Sequence, residues 1–120
     1  MSEWDWPLES FKDEPDKIEK HYAERAKSGF STFDWWNFDK YIAGVIGRAV
    51  REFSEGHGYH GDFTNMEDFA AFCKTIYEPL EFYASSEYDK IIKWEDQEPK
   101  YNEAVEAMQK FSERLGAWWD

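Results

Sequence analysis

Only one cysteine, Cys73, occurs in the 120 residues, so the chain cannot close a disulfide on itself, and a reducing cytoplasm is the expected setting. Histidine is nearly as scarce. Three histidines, two of them in one short loop, and a lone thiol fall short of the three or four spaced ligands that a metal centre needs, so no metal or cofactor is expected. Cations are few as well: 14 Lys and Arg stand against 26 Asp and Glu, a formal charge of −12. That balance argues against unassisted binding to nucleic acid, whose backbone demands cations, and against an anionic membrane surface. No charged-then-apolar leader opens the chain, and no apolar run comes near the roughly 20 residues of a membrane span. Alternating strand patterns are almost missing.

What the chain does have is aromatic bulk. Phe, Tyr and Trp make up 20% of the residues, including seven tryptophans. Each ring brings on the order of 150–250 Å² to bury. A chain of this size hides roughly 65% of its unfolded surface, enough for one core without staples. Some rings should remain outside it. The acidic balance makes a basic protein surface the natural electrostatic partner.

Helical periodicity sets the organisation. Residues 1–15 read as an irregular acidic arm pinned by Trp4, Trp6 and Phe11. Glu14-Pro15-Asp16 opens a helix that should run to Ser28, with Gly29 placed to stop it. Residues 17–29 are net positive, unlike the rest of the chain. A second helix should begin near Asp34 or Asn37. Phe38, Ile42, Val45, Ile46, Ala49, Val50 and Phe53 form its apolar stripe, the strongest in the sequence. Lys40, Gly44, Gly47, Arg48 and Arg51 lie on the other side. Interior glycines cost roughly 1 kcal/mol each relative to alanine, which implies close approach, to a neighbouring helix first and a ligand second.

Residues 55–64 read as a Gly/His-rich loop. Thr64 or Asn65 should cap a third helix carrying Met66, Phe69, Cys73, Ile76, Leu80 and Tyr83, kinked or split by Pro79 near Glu78. Ser86 should cap a short helix with Tyr88, Ile91 and Ile92. A last helix should run from about Lys100 to Trp118, lined by Tyr101, Val105, Met108, Ser112, Leu115 and Trp119. The expected fold is an all-α, single-domain bundle of four or five helices spanning residues 1–120.

No pattern marks an enzyme. Gly56-x-Gly58-x-x-Gly61 spells a dinucleotide-binding spacing, but it follows a helix rather than a strand. His57, Tyr59 and His60 in the same loop read as a tight turn with Tyr59 as its anchor. Cys73 falls on an apolar stripe, where an inert buried thiol is expected. With 26 acids, carboxylate pairs carry no information.

The segment "STFDWWNFDK" (31–40) concentrates what remains. Projected back along the helix, the buried stripe reaches Trp35, while Trp36 lies about 100° further round, toward Lys40. Asp34, Trp36, Asn37, Lys40, Arg48 and Arg51 are therefore the partner-binding candidates, with Trp36 as the hot spot. Arg48 and Arg51 beside Gly44 and Gly47 raise an alternative, an oligomer that sequesters a nucleotide signal.

Residues 29–64 resemble a group of small, acidic, mostly uncharacterised proteins of tailed bacteriophages. The shared features are Gly29 to Ser31, Asp34 to Trp36, Phe38 to Ala43 and Gly56 to Tyr59; where the group continues with Pro-Gly, this chain has His60-Gly61. The resemblance implies a phage protein in the bacterial cytoplasm. Its expected role is non-enzymatic: an inhibitor, of anti-CRISPR or other counter-defence type, that covers a basic surface of a host nucleic-acid-handling protein as a DNA mimic would. Self-association, for instance as a homodimer, is the remaining expectation.

Overall fold

A computed structural model of the chain describes residues 11–56 and 63–118. Helix α1 spans Pro15–Ser28, a 3-10 helix covers Thr32–Asn37, and α2 spans Phe38–Ser54. Helix α3 spans Met66–Ala84, a single turn α4 spans Ser86–Asp89, and α5 spans Trp94–Glu113, followed by a 3-10 turn at Leu115–Ala117. No strand occurs among the described residues, and the fold is all-α.

Local signals account for most of the ends. Pro15 opens α1, and Gly29 closes it in the left-handed region, at φ 84°, with its N–H donating to the Arg25 carbonyl at 2.8 Å. Asn65 caps α3 by accepting the Asp68 N–H at 2.8 Å. Ser85, rather than Ser86, precedes α4. Two prolines fail to break their helices. Helix α3 runs through Pro79, because Ile76 and Leu80 on either side of it are both fully buried against the rest of the fold. Helix α5 starts at Trp94 and includes Pro99, so the acidic stretch expected to be a connection supplies its opening turns. Glu95 and Asp96 there meet the positive end of the helix. The Gln97 side chain donates to the Ile91 carbonyl at 2.5 Å and ties that end to the preceding turn.

Helix α3 is the spine, and both α2 and α5 pack on it. The core joins Ala43 and Val50 of α2, Phe69, Cys73, Ile76, Leu80 and Ala84 of α3, and Ala104 and Ala107 of α5. The residues that α5 contributes, Ala104 and Ala107, are small, as is Ala43 of α2. A Cβ on Gly47 would lie 3.3 Å from Leu80 Cβ and 3.0 Å from Glu81 Cγ, so glycine there permits the close approach of α2 to α3. Gly44 is buried too.

That arrangement corrects the expected faces. Of the expected α2 stripe, Val50 is fully buried and Ile46 and Phe53 pack against the core, but Gly44 and Gly47 from the other side are buried with them, and Phe38 and Val45 stay 40% and 36% exposed. On α5 the alanines are buried, while Leu115 beyond it is exposed and Trp119 lies outside the described residues. Ile92 is exposed as well. Of the aromatics expected to pin the arm, Phe11 packs edge-on to Phe33 at 4.8 Å; Trp4 and Trp6 lie outside the described residues.

Candidate protein-binding site

The 3-10 helix between α1 and α2 is built on a polar base. Ser31 and Asp34 are fully buried. The Asp34 carboxylate accepts the Ser31 N–H at 2.8 Å, and the Asp34 N–H donates to the Ser31 carbonyl at 3.1 Å, closing the turn on itself. From α1, the Arg25 guanidinium forks onto Asp34, Nε at 3.0 Å and a terminal nitrogen at 2.7 Å. His21, also fully buried, shares a hydrogen bond with Ser31 Oγ through Nδ1 at 2.5 Å. The Arg25 guanidinium also lies over the Tyr41 ring at 4.4 Å, and the Tyr41 hydroxyl donates to the Gly29 carbonyl. At the rim, Glu24 accepts both the N–H and the hydroxyl of Thr32, at 3.0 and 2.9 Å. Helix α1 is therefore joined to the turn through three of its own polar side chains, His21, Glu24 and Arg25.

These contacts set the local charges. Burial pushes the Asp34 carboxyl up, but the Arg25 hydrogen bonds, the Ser31 amide and the Arg25 charge outweigh it and hold the group below its ordinary value. The Thr32 amide, then its hydroxyl, likewise hold Glu24 low.

On the outer side of the turn stand Trp35 and Trp36, 66% and 80% exposed. The expectation that Trp35 faces inward is overturned, and the cause is the turn geometry. In a 3-10 helix residues i and i+3 eclipse one another, so the inward column is Ser31, Asp34 and Asn37. An α-helical projection of about 100° per residue does not carry through it. Neighbouring rings extend the aromatic character: Phe30 and Phe38 meet edge-on at 5.8 Å, each more than a third exposed.

The other sequence candidates divide. Asp34 is a buried anchor and cannot meet a partner, and Asn37 is half-buried in the same column. Lys40 is engaged inside the molecule: its ammonium donates to the Tyr83 carbonyl at 2.7 Å, pairs with Asp89 at 3.2 Å and sits over the rings of Tyr83 and Tyr88. Arg51 forks onto Glu81 at 2.7 and 3.0 Å and lies over Tyr77. Of the features that suggested a nucleotide sponge, Gly47 is covered by α3 and Arg51 is paired with Glu81. Arg48 stays exposed beside Glu52, but it lies about 15 Å along α2 from Phe38 and does not join the tryptophans. His57, Tyr59 and His60 lie outside the described residues.

Sequence reasoning missed Arg25, His21 and Glu24 as supports of the turn. A signal was there: the Ser31-x-x-Asp34 spacing is that of a capping box, which asks for a donor from elsewhere once the acid is buried.

Elsewhere, Cys73 is fully buried, and burial pushes its thiol up to about 11, so it stays protonated and unreactive. Among the described residues no group of three His, Cys, Asp or Glu side chains is placed to hold a metal ion. No described helix is long and apolar enough to cross a membrane. Compared with known proteins, the chain matches no family model, no curated sequence and no solved structure.

Proposed function

We propose that this chain is a non-enzymatic binding protein that docks on a basic surface of another protein, with Trp35 and Trp36 as its anchor. The observation that carries this reading is the pair of adjacent, largely exposed tryptophans on a turn whose base is fixed by buried Asp34 and Ser31. A rigid aromatic loses little freedom when a partner buries it, which is why such rings dominate interface energetics. The −12 charge favours a cationic partner and steers the encounter. The resemblance to tailed-phage proteins makes the partner a bacterial host protein in the cytoplasm, of the kind that handles nucleic acid in defence. Inhibition would follow from covering that protein's basic groove.

The test is affinity capture from bacterial lysate with the wild-type chain and with Trp35→Ala/Trp36→Ala, followed by titration of the captured protein. Loss of about 2 kcal/mol or more, roughly 30-fold in Kd, is expected for the double variant, together with weakening as salt rises. Capture at wild-type affinity by the double variant overturns the site. Salt-insensitive binding overturns the charge-directed mode.

A further inference from the structure

We propose that Trp94, Glu98 and Tyr101 of α5 receive an arginine side chain of the basic partner. The inference rests on the reading of this chain as a protein that docks on a basic surface, and it adds a contact apart from the tryptophan turn.

Four rings form a row that ends at the surface. Tyr88 and Tyr83 meet at 4.7 Å with their planes 52° apart. Tyr83 and Tyr101 follow at 6.0 Å and 58°, then Tyr101 and Trp94 at 5.9 Å and 55°. The inner pair already holds a cation. The Lys40 ammonium lies 4.1 Å from the centre of the Tyr83 ring and 4.0 Å from that of Tyr88, and Asp89 pairs with it at 3.2 Å. Two rings tilted in this way, with a carboxylate beside them, are therefore a cation site within this molecule.

The outer pair repeats the arrangement without an internal occupant. Its tilt is nearly the same, Trp94 is 56% exposed and Tyr101 40%, and among the described residues no lysine or arginine lies over either ring. A carboxylate is at hand as well. Trp94, Glu98 and Tyr101 stand at i, i+4 and i+7 on α5, so exposed Glu98 shares a helix face with both rings. Glu95 and Asp96 in the first turn offset the positive end of the helix. Of the cations nearby in sequence, Lys90 pairs with Glu87 at 2.9 Å, and Lys100 pairs with Glu103 at 3.5 Å and lies over the Phe82 ring at 5.3 Å. Exposed Lys93 stands against Glu95, Asp96 and Glu98.

The chemistry favours a guanidinium over an ammonium. The outer rings stand wider apart than the inner ones, 5.9 Å against 4.7 Å, which suits a larger, planar cation. A guanidinium can stack on an aromatic face while it forks onto a carboxylate, and it is more weakly hydrated than an ammonium. The net charge of −12 draws such a group in.

Titration of the full chain with hexa-arginine and with hexa-lysine, following the Trp94 indole N–H by NMR, tests this. Hexa-arginine should shift that resonance and bind about tenfold tighter than hexa-lysine. Trp94→Leu/Tyr101→Leu should keep the circular-dichroism melt, because both rings are substantially exposed, and should bind the two peptides equally. Glu98→Gln, which spares the rings, should also lose most of the preference. Trp35→Ala/Trp36→Ala should retain it in full. Equal binding of the two peptides by the wild type overturns the inference, as does an arginine preference that survives in the leucine variant. If partner capture still depends on Trp35 and Trp36 in that event, this contact alone is lost and the tryptophan turn stands. An arginine preference at Trp94 in a chain that captures no basic protein does the reverse: the site stands and the reading of the turn falls.

Discussion

Tryptophan occurs in or beside both described 3-10 segments, with opposite outcomes. Trp118, just after the turn at Leu115–Ala117, is received by rings: Phe111 at 5.2 Å, Phe53 at 5.7 Å, Phe69 at 6.2 Å and Phe72 at 6.5 Å. Its indole N–H donates to the Phe111 carbonyl at 2.9 Å. Trp35 and Trp36, on the turn at Thr32–Asn37, have Asp34, Ser31, Arg25 and His21 beneath them instead. The same residue type is core in one place and surface in the other. What decides is the chemistry of the layer below, which either offers apolar area or has already been satisfied by ion pairs and hydrogen bonds.

If that contrast is right, removing Trp118 should have the largest effect on folding. Trp118→Ala deletes a half-buried ring that closes contacts among α2, α3 and α5, and it should cost about 3–5 kcal/mol in chemical denaturation. The whole transition should move, because the ring touches every long helix except α1. A Trp118→Ala chain that unfolds within 1 kcal/mol of the wild type would mean that the ring only covers the core, and the contrast between the two turns would collapse.

Breaking the polar base comes next. Arg25→Ala leaves the Asp34 carboxylate buried without its fork, which ordinarily costs 3–5 kcal/mol. Helix α1 reaches the rest of the fold mainly through this turn, so local opening can let water in; about 2–3 kcal/mol is expected, seen as lost hydrogen-exchange protection in residues 15–37 before the main transition. Acid should act on the same contact. The folded Asp34 pKa lies below the unfolded value of about 3.9, so its stabilisation is complete above that value and is lost as pH falls through the lowered folded pKa. Asp34→Asn should flatten the turn's response below about pH 4. An unchanged acid response in that variant would place the sensitivity elsewhere.

The sequence showed clearly those features that depend on a few adjacent residues. Pro15 and Gly29 bound α1, and Asn65 caps α3, as their local chemistry dictates. Cys73, Ile76 and Leu80 share a buried face because α3 is packed from two sides. Periodicity misled where packing distance mattered more than hydrophobicity. On α2 the expected stripe is core only in part, at Val50 with Ile46 and Phe53 against it, because Gly47 brings α3 close to the neighbouring face and leaves Phe38 and Val45 at the edge. Pro79 was a sound reason to expect a kink or a split; the helix is not split, and Ile76 and Leu80 are buried on both sides of the proline. At the candidate site, Trp36 was legible as a surface residue, but Asp34 and Lys40 were not legible as anchors. Their partners, Arg25 on α1 and the α3–α4 segment around Tyr83 and Asp89, are brought close only by the fold.

The smallest stability effect is expected at the tryptophans themselves. Trp35→Ala and Trp36→Ala each remove a largely exposed side chain that stands on a turn closed by other residues, so neither should change the unfolding free energy by more than about 0.5 kcal/mol. Their hydrogen-exchange protection in residues 31–37 should also match the wild type, because the Ser31–Asp34 contacts do not involve either indole. Affinity for a partner should fall by far more than stability does, and that separation is the signature of a preorganised binding surface. Were Trp35→Ala to destabilise the chain as strongly as Trp118→Ala, the indole would be covering Asp34 from water, and the turn would be a second small core capped by aromatics.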